Sequence, residues 1–158
     1  MQMRRAERQV TELAEISGIL SRCEVGHLGV VDDEGPYVVP LTFAHAVRDG
    51  RIVVYVHGAG KGRKAAAIAL DPRVCFEAEV RVRTIVTPAI QDLSVAYESV
   101  VGEGTARVVT DADEAREAVR LIVDKYVPGR GAEVTADMPP VTVLAFDLDH
   151  VVGKRNIG

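Results

Sequence analysis

The stretch that decides the fold is Val54-Tyr55-Val56-His57-Gly58-Ala59-Gly60-Lys61-Gly62-Arg63-Lys64, where an apolar run meets a basic, glycine-rich turn. Residues 52–56 are mostly β-branched and too few for a typical helix, so they predict a strand. Residues 63–70 are good helix formers and stop at Asp71-Pro72, which predicts a short helix after the turn. Exposed N–H groups at a helix start and a guanidinium both bind phosphate oxygens, so this unit is a candidate phosphate site.

The residues of the turn leave a second interpretation open. The spacing matches neither the P-loop nor the dinucleotide-binding pattern, and flexible surface loops often have the same composition. His57 likewise is either a donor that faces a ligand or a polar residue where the strand leaves the core. The turn alone therefore does not establish phosphate binding.

Working outward from the turn, the hydrophobic patterning predicts two longer amphipathic helices and several strands. Helices are expected at residues 11–20, with Thr11 as N-cap, and at 111–126; strands are expected at 25–31, 37–43, 52–56, 73–82, 99–109 and 141–152. Residues 83–97 contain Pro88 and polar residues, so we expect a long excursion there. The pattern indicates a single mainly β domain over residues 1–158, a closed antiparallel barrel with peripheral helices.

Composition excludes several classes of function. Apolar residues make up 47% and charged residues 27%, with a net charge of -4, which is unlike the basic surface of a nucleic-acid binder. Cys23 and Cys75 lack the paired spacing of zinc or redox motifs, and both are expected to be reduced and buried. His27, His45 and His150 share no metal-ligand spacing with each other or with the cysteines, so we read them as structural or solvated and expect no metal site.

The start of the chain is charged, and no apolar run approaches the roughly 18 residues that a membrane span needs. We therefore expect a cytoplasmic protein with no membrane partner.

Two further segments carry alternative interpretations. Pro40 lies within a predicted strand and cannot donate to a ladder, so residues 37–42 are an edge strand, a bulge or a place where the backbone turns toward a ligand. Residues 97–104 combine polar groups with two glycines, which fits either a second wall of a ligand site or a β-bulge.

Several motifs in one order resemble the pyridoxamine 5'-phosphate oxidase-like split-barrel flavoproteins, and within them the nitroimidazole-reductase-like branch. The motifs are Pro36-Tyr37-Val38-Val39-Pro40-Leu41-Thr42-Phe43, Val54-Tyr55-Val56-His57-Gly58-Ala59 leading to Gly62-Arg63-Lys64, Asp71-Pro72-Arg73-Val74-Cys75-Phe76-Glu77, Tyr97-Glu98-Ser99-Val100-Val101-Gly102-Glu103-Gly104 and Gly153-Lys154-Arg155. The resemblance implies a six-stranded antiparallel split β-barrel that forms a homodimer, with FMN in two symmetric clefts between the subunits.

The resemblance also implies roles for particular residues. Arg63 and Lys64 would hold the flavin phosphate, Ser99 would lie near the flavin, and His57 would face the flavin region as the candidate catalytic residue. The implied cofactor-binding residues are Val39, Pro40, Leu41, Thr42, His57, Gly58, Ala59, Gly62, Arg63, Lys64, Tyr97, Glu98, Ser99, Val100, Lys154 and Arg155.

The leading functional hypothesis is an FMN-dependent oxidoreductase that passes electrons from a nicotinamide donor to a small-molecule acceptor such as a nitroaromatic. In such an enzyme the flavin performs the redox step, so no acid or base need be visible in the sequence. The alternatives are a flavin- or haem-binding carrier or sensor without turnover, and a deazaflavin-dependent reductase. Absorbance of the purified protein distinguishes flavin from haem.

Overall fold

The computed structural model describes residues 5–58, 60–139 and 141–157. These residues form eight strands and three α-helices, with three short 3-10 turns. The strands are β1 (Gln9–Val10), β2 (Gly26–Asp32), β3 (Gly35–Leu41), β4 (Ala44–Arg48), β5 (Arg51–His57), β6 (Arg73–Ile85), β7 (Ser94–Val108) and β8 (Val143–Asn156). The helices are α1 (Leu13–Arg22), α2 (Arg63–Leu70) and α3 (Ala112–Tyr126).

All strands join one antiparallel sheet in the order β3-β2-β6-β7-β8-β5-β4, and β1 pairs with β8. The mainly β prediction is confirmed. The described residues contain eight strands instead of six, because β1 and β4 were not predicted. β1 has two residues, and β4 has the sequence Ala-His-Ala-Val-Arg, whose small and polar residues give little strand signal. The edges β3 and β4 are not hydrogen-bonded to each other within the described residues.

The core lies on one face of the sheet and is built by strand alternation. Leu28 on β2 and Phe76 on β6 are fully buried, and α1 covers them with Ile16, Ile19 and Leu20. Phe76 meets Phe43 edge-to-face at 5.0 Å between ring centroids. The core therefore forms from aliphatic side chains around a few rings.

The two cysteines lie on opposite sides of the sheet. Cys23 is buried, as expected, whereas Cys75 is exposed, so that part of the prediction is wrong. Val74 and Phe76 point into the core, and the intervening residue of an antiparallel strand must then face outward.

Helix α3 packs Ala118 and Ile122 against a second apolar cluster on the outer side of β5. Its start agrees with the acidic N-terminal pattern, because the Asp111 side chain accepts a hydrogen bond from the Glu114 N–H at 2.8 Å. Helix α1 begins two residues later than predicted, and Glu12 rather than Thr11 is its N-cap, without a side-chain cap.

The predicted excursion over residues 83–97 is wrong at both ends, where residues 83–85 and 94–97 are strand. Strands β6 and β7 extend into it as a long hairpin, with Thr84 opposite Val95, and residues 86–93 connect them. The register shifts between Val80 and Arg83, where Arg81 has a φ of 61°. Ladder hydrogen bonds stabilise this polar segment as strand, which local propensity does not reveal.

Candidate functional site

The glycine-rich turn begins where β5 reaches the surface. The Gly58 N–H donates to the Thr142 carbonyl at 3.1 Å, which fixes the start of the turn against the segment before β8. Gly60 and Gly62 have φ of 39° and 94°, values that favour glycine. Gly62 caps α2 without a side-chain hydrogen bond, so the first-turn N–H groups of α2 face the turn. Ala59, one of the predicted cofactor residues, lies outside the described residues.

Lys64 lies on the inner side of the turn. A Cβ placed on Gly58 would be 3.7 Å from Lys64 Nζ, so the ammonium is close to the backbone of the turn. These residues line a cavity of about 30 Å³ together with Gly60, Lys61, Ala65, Thr142 and Leu144. Burial lowers the pKa of Lys64. The ammonium is therefore partly shielded from water at the place where an anion would bind.

Arg63 points the other way, toward the β2–β3 hairpin. Its Nε donates to Asp32 Oδ2 at 2.7 Å and its Nη2 donates to Asp32 Oδ1 at 3.0 Å. Glu34 lies 3.3 Å from Nη1, and the guanidinium stacks 4.6 Å from the Tyr37 ring centroid. The hydrogen bonds from Arg63 lower the pKa of Asp32. The predicted phosphate-binding pair thus has one cation at the turn and one in an ion pair.

His57 is the last residue of β5, opposite Val143 on β8, and its side chain is exposed. It directly precedes the turn. The residues before it, from Ile52 to Val56, are all buried, so His57 is the point at which the strand leaves the core. This position agrees with both sequence interpretations of His57.

The second predicted group lies across β7 and β8. Ser99 is opposite Lys154, and Glu98 is opposite Arg155. Lys154 Nζ lies 5.9 Å from the centroid of the Tyr97 ring. The Val100 side chain is fully buried in the core, so this residue can offer a ligand only its backbone.

Glu98 is buried within a cluster of arginines. Arg155 Nε donates to its Oε1 at 2.8 Å, Arg22 Nη2 donates to its Oε2 at 2.8 Å, and Arg81 Nε lies 3.5 Å from Oε2. The Glu98 side chain is 5% exposed. Its carboxylate holds α1, β6 and β8 together, and both oxygens are already occupied.

The third predicted group, residues 39–42, lies at the end of β3. β3 is an edge strand, which is one of the three alternatives that Pro40 left open, and Pro40 is exposed opposite His27. Val39 and Leu41 pack against the core, while Thr42 follows the strand and is exposed.

The predicted residues do not meet at one point of a single chain. The turn lies beside Val143 at the start of β8, because His57 pairs with that residue. Ser99 pairs with Lys154, eleven residues further along β8 (154 minus 143), which is up to roughly 35 Å of extended chain. The two groups therefore lie at opposite ends of β8.

Sequence reasoning missed a cluster on the outer face of the sheet. His27 Nδ1 lies 3.2 Å from Glu77 Oε2 and 3.7 Å from Glu79 Oε2. Burial and the neighbouring Glu79 carboxylate raise the pKa of Glu77 to about 7. His27 and Glu77 are fifty residues apart, so no local spacing reveals the cluster; the alternation of Glu77 and Glu79 on one strand face is its one local signal.

A second missed group lies beneath α1. Lys125 Nζ lies 3.4 Å from the centroid of the Phe43 ring and donates to the Leu20 carbonyl at 3.2 Å. Burial lowers the pKa of Lys125 to about 8. His45 Nε2 lies 2.8 Å from Ser17 Oγ, and burial, with Lys125 nearby, lowers the pKa of His45 to about 4.

A groove of about 750 Å³ crosses the outer face of the sheet between the β2–β3 hairpin and β8. Val31, Val38, Cys75 and His150 are among its lining residues, and none of the predicted flavin contacts lines it. His150, which we read as structural or solvated, thus faces a space of ligand size.

The fold is an antiparallel split-barrel sheet with a glycine turn at the start of α2. Residues 12–155 match the family model for pyridoxamine 5'-phosphate oxidase, so the chain belongs to that family. No curated protein matches the chain.

Among solved structures, the chain is similar to the flavocytochrome Anf3 from Azotobacter vinelandii, with a TM-score of 0.81, 20% identity, and coverage of 99% of this chain and 73% of that one. The chain is also similar to the FAD and haem binding protein from Mycobacterium smegmatis, with a TM-score of 0.80, 22% identity, and coverage of 96% of this chain and 74% of that one. A third similar structure is a putative 5-nitroimidazole antibiotic resistance protein from Bacteroides thetaiotaomicron, with a TM-score of 0.71, 23% identity, and coverage of 92% of this chain and 85% of that one. These similarities establish the fold, and the predicted family is confirmed.

None of the helices in the described part of the chain combines the length and the apolar character needed to cross a membrane.

Proposed function

We propose that the chain binds FMN through the glycine-rich turn and works as a flavin-dependent oxidoreductase. The observation that carries the proposal is the position of Lys64, whose ammonium lies against the backbone of the turn at the N-terminus of α2. A phosphate there meets a cation and backbone N–H groups together. The electron donor would be a nicotinamide and the acceptor a small molecule such as a nitroaromatic.

The residues of the turn fit a phosphate at its rim. The cavity holds about one water molecule, so the phosphate would lie at its mouth rather than inside. Gly60 and Gly62 leave the backbone accessible, and no side chain caps α2. Arg63 would contribute by exchanging part of its pairing with Asp32 for the phosphate.

When bound, the flavin supplies the redox chemistry, and the chain supplies position and electrostatics. His57 would orient the acceptor, because it is exposed directly before the turn. Lys64 would hold the anionic end of the cofactor. Residues 39–42 would present β3 backbone to the ring system, since β3 is an edge strand with unpaired groups on one side.

We further propose a homodimer with the flavin at the subunit interface. The turn and the pair Ser99–Lys154 lie at opposite ends of β8, so they cannot both contact one flavin within a chain. A twofold axis that packs two sheets side by side would bring the turn of one subunit near the Ser99–Lys154 end of the other. The dimer thus supports a site to which both predicted groups contribute.

The direct test is absorbance and thermal stability of the purified chain with FMN, FAD and riboflavin. With FMN we expect flavin absorbance and a raised midpoint of thermal unfolding. With riboflavin, which lacks the phosphate, we expect the midpoint to rise less. Lys64→Ala should weaken FMN binding by at least 10-fold, since a charge-assisted contact contributes about 1.5 to 3 kcal/mol. Riboflavin affinity should not change.

Two outcomes count against the proposal. A colourless protein that FMN does not stabilise excludes the flavin, and equal losses for FMN and riboflavin in Lys64→Ala exclude the phosphate assignment. Gel filtration with light scattering tests the dimer separately.

A second candidate function is a carrier that binds haem as well as flavin. Its support is the groove of about 750 Å³ lined by His150, which offers an exposed imidazole within a space of cofactor size. The similar structures from Azotobacter vinelandii and Mycobacterium smegmatis are named as a flavocytochrome and as a FAD and haem binding protein. A Soret band after haem addition that is absent in His150→Ala supports this candidate, and no band at saturating haem excludes it.

A further inference from the structure

We propose that His27, Glu77 and Glu79 form a binding site for one divalent transition-metal ion, with Zn²⁺ as the best-fitting ion. The three side chains are the described His, Cys, Asp and Glu residues whose donor atoms all lie within 4.8 Å of one another. They lie on two paired strands, β2 and β6, in the interior of the sheet. The site is separate from the turn assigned to the flavin phosphate. However, His27 is paired with Pro40 and Glu79 with Ser99, two of the predicted flavin contacts, so Zn²⁺ is titrated both without flavin and with saturating FMN.

The distances between the donor atoms agree with a metal centre. Two ligands at 2.0 to 2.1 Å from a tetrahedral ion lie roughly 3.4 Å apart. His27 Nδ1 lies 3.2 Å from Glu77 Oε2 and 3.7 Å from Glu79 Oε2, on either side of that value. Because His27 and Glu77 are directly opposite in the ladder, the backbone holds two ligands in place before any ion binds.

The charges of the cluster and its surroundings favour the binding of a cation. Within the described residues, the ion pairs of Glu77 and Glu79 are with His27 alone. By contrast, Glu98, on the neighbouring strand β7, pairs with three arginines. The residues opposite the cluster are the uncharged Pro40, Val101 and Ser99. Two carboxylates on one strand face without an arginine or lysine repel each other, and a divalent ion removes that repulsion.

The donor set selects the class of metal. One imidazole nitrogen with two carboxylates suits Zn²⁺ and neighbouring first-row ions. By contrast, Ca²⁺ binds six to eight oxygen ligands, and Mg²⁺ binds oxygen ligands in near-octahedral geometry. The three side chains are 38%, 35% and 42% exposed, which leaves room for one or more water ligands. Such an open site differs from a closed structural zinc site.

The experiment uses untagged full-length protein, treated with EDTA and desalted, and titrated with Zn²⁺ by calorimetry. We expect one ion per chain, with Ca²⁺ and Mg²⁺ at least 100-fold weaker. Co²⁺ should give visible d–d bands that Zn²⁺ abolishes. We expect the Zn²⁺ affinity to fall by 10-fold or more in each of His27→Gln, Glu77→Gln and Glu79→Gln. Because the Glu79 side chain is half-exposed, Glu79→Gln should preserve the fold.

Two matched variants serve as controls. Glu103→Gln removes a carboxylate from the neighbouring strand β7, and Cys75→Ser removes the exposed thiol two residues before Glu77. Both should leave the Zn²⁺ affinity within twofold of the parent. The proposal is overturned by no saturable 1:1 binding, by unchanged affinity in Glu79→Gln, or by loss of binding in Cys75→Ser.

Discussion

Arg63 and Asp32 form a two-point ion pair that joins the start of α2 to the β2–β3 hairpin, with N–O distances of 2.7 and 3.0 Å. If the proposed function is correct, Asp32 competes with the flavin phosphate for the Arg63 guanidinium. Asp32→Asn should therefore tighten FMN binding several-fold and leave riboflavin unchanged, as measured by fluorescence titration. Glu34→Gln is the control, because Glu34 makes a single, longer contact of 3.3 Å. Weaker FMN binding in Asp32→Asn would show that the pair positions the turn instead.

His57→Ala tests whether the strand-end histidine acts on the substrate. Its side chain is exposed and follows five buried residues of β5, so its removal should leave the fold and FMN affinity intact. We expect the rate of reduction of a nitroaromatic acceptor to fall at least 10-fold. A lowered thermal midpoint or lost flavin would instead assign His57 a structural role. The readout is steady-state kinetics beside FMN affinity in one preparation.

His45 should make the protein less stable in mild acid. Its folded pKa of about 4 lies below the ordinary value of 6.5, because burial and the Lys125 ammonium disfavour its charge. Between pH 6.5 and 4 the unfolded chain binds a proton that the folded chain does not, so the free energy of unfolding falls as the pH falls. At 1.36 kcal/mol per pH unit, the loss reaches roughly 3 kcal/mol.

The measurement is urea unfolding from pH 7 to 4. His45→Gln should flatten the dependence in this range, while His150→Gln, at an exposed position, should keep it. An equal slope in the parent and His45→Gln would refute the prediction.

Glu98→Gln should be strongly destabilising. The buried carboxylate pairs with Arg22, Arg81 and Arg155. Its loss leaves Arg22 and Arg81 without this carboxylate, whereas Arg155 keeps its ion pair with Glu15. The arginines left behind are 31% to 65% exposed, so we expect a loss of about 1.5 to 3 kcal/mol, measurable by denaturant unfolding. Glu117→Gln breaks a surface pair with Arg120 and should cost under about 1 kcal/mol. Similar losses in both variants would contradict the buried role of Glu98.

Elements encoded by local sequence were predicted, whereas elements that depend on pairing with distant residues were missed. Helix α2 was predicted with its observed bounds, because Gly62 and Asp71-Pro72 end it at both sides. The hairpin arm of β6 and β7 was missed, since its strands depend on pairing between Thr84 and Val95 rather than on propensity. Strand β4 was missed for the same reason.

In the candidate site, too, the sequence identified residues, whereas the structure decided what each side chain contacts. The sequence identified Arg63 and Lys64 as basic residues at a turn, yet one contacts Asp32 and the other lies beside Gly58. A helix turns by 100° per residue, so adjacent side chains point in different directions, and the partner of each depends on what packs there. Among the predicted cofactor residues, Glu98 is held by arginines that are distant in sequence.

By itself, the sequence determined the strand, glycine turn and helix of residues 52–70, the mainly β class and the family, because these depend on residue type and order along the chain. The tertiary structure alone decided the pairing of Arg63 with Asp32, the separation of the turn from Ser99 and Lys154, and the meeting of His27 with Glu77 and Glu79. The first feature arises because α2 packs beside the β2–β3 hairpin, which brings together side chains 31 positions apart. The other two arise from strand register, which joins residues fifty or more positions apart through backbone hydrogen bonds that no local pattern encodes.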